Sequence, residues 1–137
     1  MAIQFKVECR DARLNAIETY GSTSCAMRIY TGAQPADCIT ANAGTLLVDF
    51  NLPTDWMAAA STGSKALAGS WSGAASGGAG ATPGHFRIYN NQTTKDNTTC
   101  FIQGSCAIGS GDINFNGTIT SGQTVTVTTF TLTDANS

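Results

Sequence analysis

Hydrophobic and polar positions change their period once along this chain. Over residues 8–20, ECRDARLNAIETY, Leu14, Ile17 and Gly21 fall along one stripe, with Ala12 and Ala16 beside it. That spacing predicts an amphipathic helix, and Gly21 stands where a C-cap is expected. Beyond Gly21 the period becomes two. Met27 and Ile29 alternate with Arg28 and Tyr30, and Phe86 and Ile88 alternate with His85, Arg87 and Tyr89. Residues 45–50, TLLVDF, read as a strand closed by Pro53, and residues 66–72 as another around Leu67 and Trp71. Residues 98–109 are extended, and at 112–115 Ile113 and Phe115 alternate with Asp112 and Asn114. TVTVTTFTLT is the clearest strand. Its Val125 and Val127 are out of phase with Phe130 and Leu132, so a bulge is expected near Thr128-Thr129.

Six to eight short strands after one helix predict an all-β fold: an antiparallel β-sandwich or jelly roll with one short N-terminal helix. One domain is expected over residues 1–137, with an arm and helix at 1–21 and the sandwich at 22–137. The Gly/Ala-rich run GSWSGAASGGAGATPG, residues 69–84, reads as a long surface loop or as glycine-rich strand edges. The tripeptide Arg-Ile-Tyr occurs twice, at 28–30 and 87–89. Each copy is expected to be a strand end with Ile inward and Arg and Tyr outward. If the two strands are neighbours, both Arg-Tyr pairs share one polar face, where Arg stacks on Tyr.

Charge narrows the function classes. Seven Lys and Arg against nine Asp and Glu leave a net charge of −2 and no basic field for a phosphate backbone, so no nucleic-acid partner is expected. Glu8, Arg10, Asp11, Arg13 and Glu18 hold nearly a third of the charge, so the helix is expected either as a solvated layer on its own sheet or as an arm docking on a neighbour. The remaining surface must be built from Thr, Ser, Asn and Gly. No apolar run approaches the roughly 20 residues of a membrane helix, and the N-terminus lacks the apolar core of a secretion leader.

Candidate chemistry is sparse. DINFNGTITSGQ, residues 112–123, matches the front of a calcium loop at Asp112, Asn114, Asn116 and Gly117, but its twelfth position is Gln123 rather than a bidentate carboxylate. TGSK, residues 62–65, lacks the leading glycine of a phosphate loop. His85 is the single histidine, and nothing in the sequence brings a cysteine or an orienting carboxylate to it. No catalytic residue, metal site or cofactor is expected.

The disulfide candidates are Cys9, Cys25, Cys38, Cys100 and Cys106. No C-x-x-C pair suggests zinc. If 98–109 is one continuous strand, Cys100 and Cys106 lie about 20 Å apart and cannot bond each other. A hairpin at Gln103-Gly104 would bring them nearly face to face. The odd count leaves at least one thiol without an internal partner. Leu, Ile, Val and Phe make up only about 18% of the chain, a thin stock for a core. Together these lead us to expect at least one inter-chain bond, formed after the protein leaves a reducing cytosol.

RDARLNAIETYG, MRIYTGAQPA with GTLLVDFNLP, HFRIYNN with IQGS, and GSGDINFNGTITSGQTVTVTTFTLT resemble a family of small virion structural proteins of tailed phages. These pieces cover most of the chain apart from the Gly/Ala-rich middle. The resemblance implies a non-enzymatic β-sandwich accessory in the virion, assembled in the host cytoplasm. It would decorate or link the capsid in a minor capsid or cement role, or sit at the neck and collar. Its partners would be the major capsid protein or neck and collar proteins, in a homo-oligomer or multi-copy assembly. The candidate partner-docking face is Arg10, Arg13, Arg28, Tyr30, Arg87 and Tyr89. A further reading is a glycan- or receptor-binding β-sandwich module using Trp56, Trp71, Tyr30 and Tyr89.

Overall fold

A computed structural model describes residues 2–135. Strands make up 38% of the chain. Helix α1 spans Val7–Gly21 and is followed by β1 (Ala26–Tyr30) and β2 (Leu46–Asn51). Next come β3 (Ser64–Ala66), β4 (Trp71–Ala74), β5 (Ala79–Ala81), β6 (His85–Tyr89) and β7 (Cys100–Ile108). The chain closes with β8 (Ile113–Phe115), β9 (Ile119–Thr120), β10 (Thr124–Val127) and β11 (Thr131–Thr133). Five strands form one sheet in the order β2-β1-β6-β7-β8, and three two-stranded ribbons pair β10 with β4, β11 with β3, and β5 with β9.

The core lies on one face of the five-stranded sheet. Met27 and Ile29 of β1 stand opposite Phe50 and Val48 of β2 on one side and Ile88 and Phe86 of β6 on the other. The ribbons lay Trp71, Val125 and Val127 into the same core, and Phe130, just before β11, joins them. Trp71 meets Trp56 at 6.2 Å between ring centroids and Phe130 at 5.1 Å, and Phe130 meets Phe86 edge-on. Each buried indole also finds an acceptor: Trp56 Nε1 donates to the Ser22 carbonyl and Trp71 Nε1 to that of Ala68. The accessible surface is 7029 Å², close to the roughly 6,700 Å² that a compact monomer of this mass presents. A core thin in aliphatic residues is thus filled out by aromatic ones.

Several expectations need correction. The sheet is not wholly antiparallel, because β8 pairs parallel with β7. Gly109 and Gly111, both at positive φ, let the chain double back in the short link between them. Residues 66–72 are not one strand; a turn at Gly69 separates β3 from β4. The Gly/Ala-rich run is strand edge rather than free loop, since it contains β4 and β5. The phase change near Thr128 is a break rather than a bulge: β10 pairs with β4 and β11 with β3. Gly21 is not a left-handed cap. It is the last helical residue, and a Cβ there would stand 2.7 Å from Phe101 and 2.8 Å from both Cys25 Sγ and Trp56. Ser22 takes the positive φ instead.

Helix α1 docks on its own chain. Leu14 is buried and Ile17 packs against the core. Arg10 Nη1 donates to the Asp134 carbonyl at 2.9 Å, and Arg13 pairs with the Asp134 carboxylate at 2.7 Å. These two candidate docking residues therefore hold the helix to the C-terminal segment.

Candidate functional site

The polar side chains gather on the face of the central sheet that points away from the core. β1 and β6 are neighbours, so the two Arg-Ile-Tyr copies run antiparallel, with Arg28 opposite Arg87 and Tyr30 opposite His85. Directly opposed residues share a face. On β7, Gln103 stands opposite Arg87 and Ser105 opposite His85. The anticipated shared polar face is real, but it is not open to a partner. Arg87 and Tyr89 are each 1% exposed, and Tyr30 and His85 are also buried.

What covers the face is the loop between β1 and β2, residues 31–45. Arg87 Nη2 donates to the Asp37 carbonyl at 3.0 Å and to that of Thr40 at 2.6 Å. Its Nε donates to Gln103 Oε1 at 3.2 Å, while Gln103 Nε2 donates to the Pro35 carbonyl at 2.7 Å. Asn97 Nδ2 donates to the Ile39 carbonyl at 3.1 Å. A guanidinium has donors for several acceptors in one plane, and the loop carbonyls supply them. Thr40 donates from its backbone N–H and its hydroxyl to the Asp37 carboxylate, which these bonds hold below the usual carboxylate range.

A second loop, residues 90–99, borders the same face. Arg28 Nε donates to Asp49 Oδ2 at 2.9 Å and its Nη1 to the Lys95 carbonyl at 3.1 Å; the Lys95 ammonium also pairs with Asp49. Asp49 thus neutralises two cations, which lets Arg28 sit opposite Arg87 in the ladder. Arg28 also lies over the Tyr89 ring, 5.8 Å from its centroid. The expected Arg-on-Tyr stacking runs across the two copies, not within one.

His85 is walled in. Its ring stacks on Tyr30 at 5.2 Å, with Nδ1 2.9 Å from the Gly32 carbonyl and Nε2 2.9 Å from Asn42 Oδ1. Asn42 Oδ1 also accepts from the Gly44 N–H. Both ring nitrogens therefore face carbonyl oxygens rather than a thiol. Burial, against the Gly32 bond and with help from Arg87, pulls the His85 pKa below its ordinary value.

The cysteines divide by environment, and none is in a disulfide. Cys25 donates to the Gly21 carbonyl at 3.0 Å, and Cys106 belongs to the core; burial pushes both thiols up to about 12. Strand β7 is continuous, so Cys100 and Cys106 cannot reach each other. A register shift beside Tyr89 adds Phe101 as an extra residue and moves Cys100 onto the Tyr89 face. Three of the five thiols are buried, Cys38 is half-buried, and Cys9 is exposed on α1. Inter-chain bonding through Cys25, Cys100 or Cys106 is sterically closed to this fold.

A second polar cluster was not anticipated. Lys65 is 1% exposed, and its ammonium donates to Asn15 Oδ1 at 2.8 Å and the Ala58 carbonyl at 2.7 Å, and pairs with Glu18 Oε2 at 2.7 Å. Three acceptors satisfy its three donors. The only local hint is that Asn15 and Glu18 are three apart on the helix. The calcium-like loop also has a structural use. Asp112 Oδ2 accepts from the Ser105 N–H and hydroxyl, each at 2.8 Å, and Asn114 Oδ1 accepts from the Gly109 N–H at 2.8 Å. These bonds pin the link between β7 and β8. Among the described residues, no group of three or more His, Cys, Asp and Glu is placed to hold a metal ion. Among the same residues, no helix is long and apolar enough to cross a membrane.

The four aromatics of the glycan reading, Trp56, Trp71, Tyr30 and Tyr89, are all buried and offer no exposed stacking platform. Comparison with protein-family models, curated proteins and solved structures gives no match.

Proposed function

We propose that this chain is a non-enzymatic structural protein of a tailed-phage virion. It would decorate or link the capsid in many copies, its ribbons and central sheet forming a sandwich-like module. The observation that carries this reading is where the chemically capable side chains spend their donors. Arg87, His85, Lys65 and the Tyr30–Tyr89 pair are committed to internal bonds that fasten loops and helix to the sheets. Side chains used in this way make a shape, not a reaction. The hydroxyl-rich, weakly charged composition and the resemblance of the four sequence pieces point the same way. Attachment at the neck or collar is the same role at another place in the particle.

The reading is tested on purified particles of the phage that encodes the chain. Quantitative mass spectrometry across a density gradient should find the chain in fixed ratio to the major capsid protein. A particle reconstruction then assigns it to capsid or neck. A chain abundant in the lysate and missing from the particles overturns the proposal.

A further inference from the structure

We propose that Cys38 and Cys100 form an intra-chain disulfide that fastens the 31–45 loop to β7 when the protein meets an oxidising disulfide pool. This goes beyond the virion role and does not rest on it.

The pair is set apart from the other thiols by the backbone. Strict alternation along β7 would place Cys100 with Cys106 on the core side. The inserted Phe101 reverses that and places Cys100 beside Tyr89, on the face that the 31–45 loop covers. Cys38 is held over the same face from both sides. The carbonyls of Asp37 and Thr40 accept from Arg87, and that of Ile39 accepts from Asn97, three residues before Cys100. After burial itself, the nearby Cys38 thiol is the largest influence raising the Cys100 pKa. Two thiols carried onto one face by anchored segments can be bridged once their Cα atoms lie within about 7 Å. Cys9 lies on α1, Cys106 points into the core from the other face of β7, and Cys25 is engaged with the Gly21 carbonyl.

Exposure sets the order of events. Cys38 is half-buried and Cys100 buried, so the external reagent meets Cys38 first. The oxidant is a low-molecular-weight disulfide such as oxidised glutathione. The Cys38 thiolate attacks one of its sulfurs and expels a thiolate, leaving a mixed disulfide on Cys38. The Cys100 sulfur then attacks the Cys38 sulfur, and its proton goes to the second departing thiol. Two protein thiols lose two electrons, and one external disulfide becomes two thiols. Burial pushes the Cys100 thiol up to about 12, so the second step sets the rate and quickens as pH rises.

The experiment uses the full purified chain, equilibrated in oxidised and reduced glutathione and then alkylated. The expected product is a monomer about 2 Da lighter than the reduced chain before alkylation and carrying two fewer alkyl groups after it, with a non-reducing peptide map joining Cys38 to Cys100. Its Tm should rise by at least about 5 °C, because the bond closes a long loop in the unfolded chain. Reductant should reverse both changes. Cys38→Ser, on a half-buried loop, should fold normally and stay unbridged, while Cys9→Ser should bridge like the parent. Glutathione retained on Cys38 with no closure, a bond through any other cysteine, or a fully reduced chain under oxidising conditions overturns the proposal.

Discussion

Tyr30 and Tyr89 meet hydroxyl to hydroxyl at 2.8 Å beneath the loops that cover the outer sheet face. Each is the last residue of an Arg-Ile-Tyr copy, on strands that run side by side in opposite directions. The repeat therefore marks two strands that complete one buried polar layer. Burial and the bond to Tyr30 push the Tyr89 phenol well above its ordinary value, so its hydroxyl stays protonated at neutral pH.

Removing one hydroxyl strands the other. Tyr30→Phe and Tyr89→Phe should each cost about 1–2 kcal/mol, whereas the double variant should cost less than their sum. Urea unfolding of the four proteins measures the coupling. Strict additivity would show that the two hydroxyls do not depend on each other.

The end of α1 sets a close approach against a strained residue. Gly21→Ala forces a Cβ against Phe101, Cys25 and Trp56 and should cost about 1–3 kcal/mol. Ser22 has φ 62 and ψ −160, a region natural to glycine. Ser22→Gly should stabilise the protein by up to about 1 kcal/mol. Thermal melts of the two variants should move in opposite directions.

The Lys65 ammonium depends on Glu18 for its counter-charge. Glu18→Ala leaves a buried cation with two neutral acceptors and should cost about 2–3 kcal/mol. Adding Lys65→Met to that variant should recover part of the loss, because the unpaired charge is gone. A double variant less stable than Glu18→Ala alone would show that the ammonium is held chiefly by Asn15 and Ala58.

His85 makes stability depend on pH. Its folded pKa lies below the ordinary 6.5. The unfolded chain therefore takes up the proton first, and stability falls as pH drops from about 6.5 toward the folded pKa. Charged groups near the ring include Arg87, which opposes its protonation. The Asp37 and Asp96 carboxyls, also held low by hydrogen bonds, add their own loss only below 3.8. Denaturation midpoints between pH 7 and 5 should fall for the parent and stay nearly level for His85→Gln.

Local pattern was enough for the elements whose side chains obey one period. The helix, β1, β2 and β6 follow from alternation or helical spacing alone, and so does the inward turn of both Ile residues in the repeat. The phase change at Thr128 was legible as a defect, but whether it was a bulge or a change of partner depended on β3 and β4, more than 50 residues away. Other features have no local signal. Arg87 reads as an outward side chain on a strand end, yet the loop carbonyls of Asp37 and Thr40 enclose it. Lys65 sits in an unremarkable TGSK, and its acceptors lie on a distant helix and a neighbouring loop. Cys100 changes face through one inserted residue that alternation cannot reveal. Sequence determined which residues alternate, and so which strands exist. Tertiary structure decided which faces are covered, because a loop closing over a sheet is a contact between distant segments, and periodicity records only the neighbours of each residue along the chain.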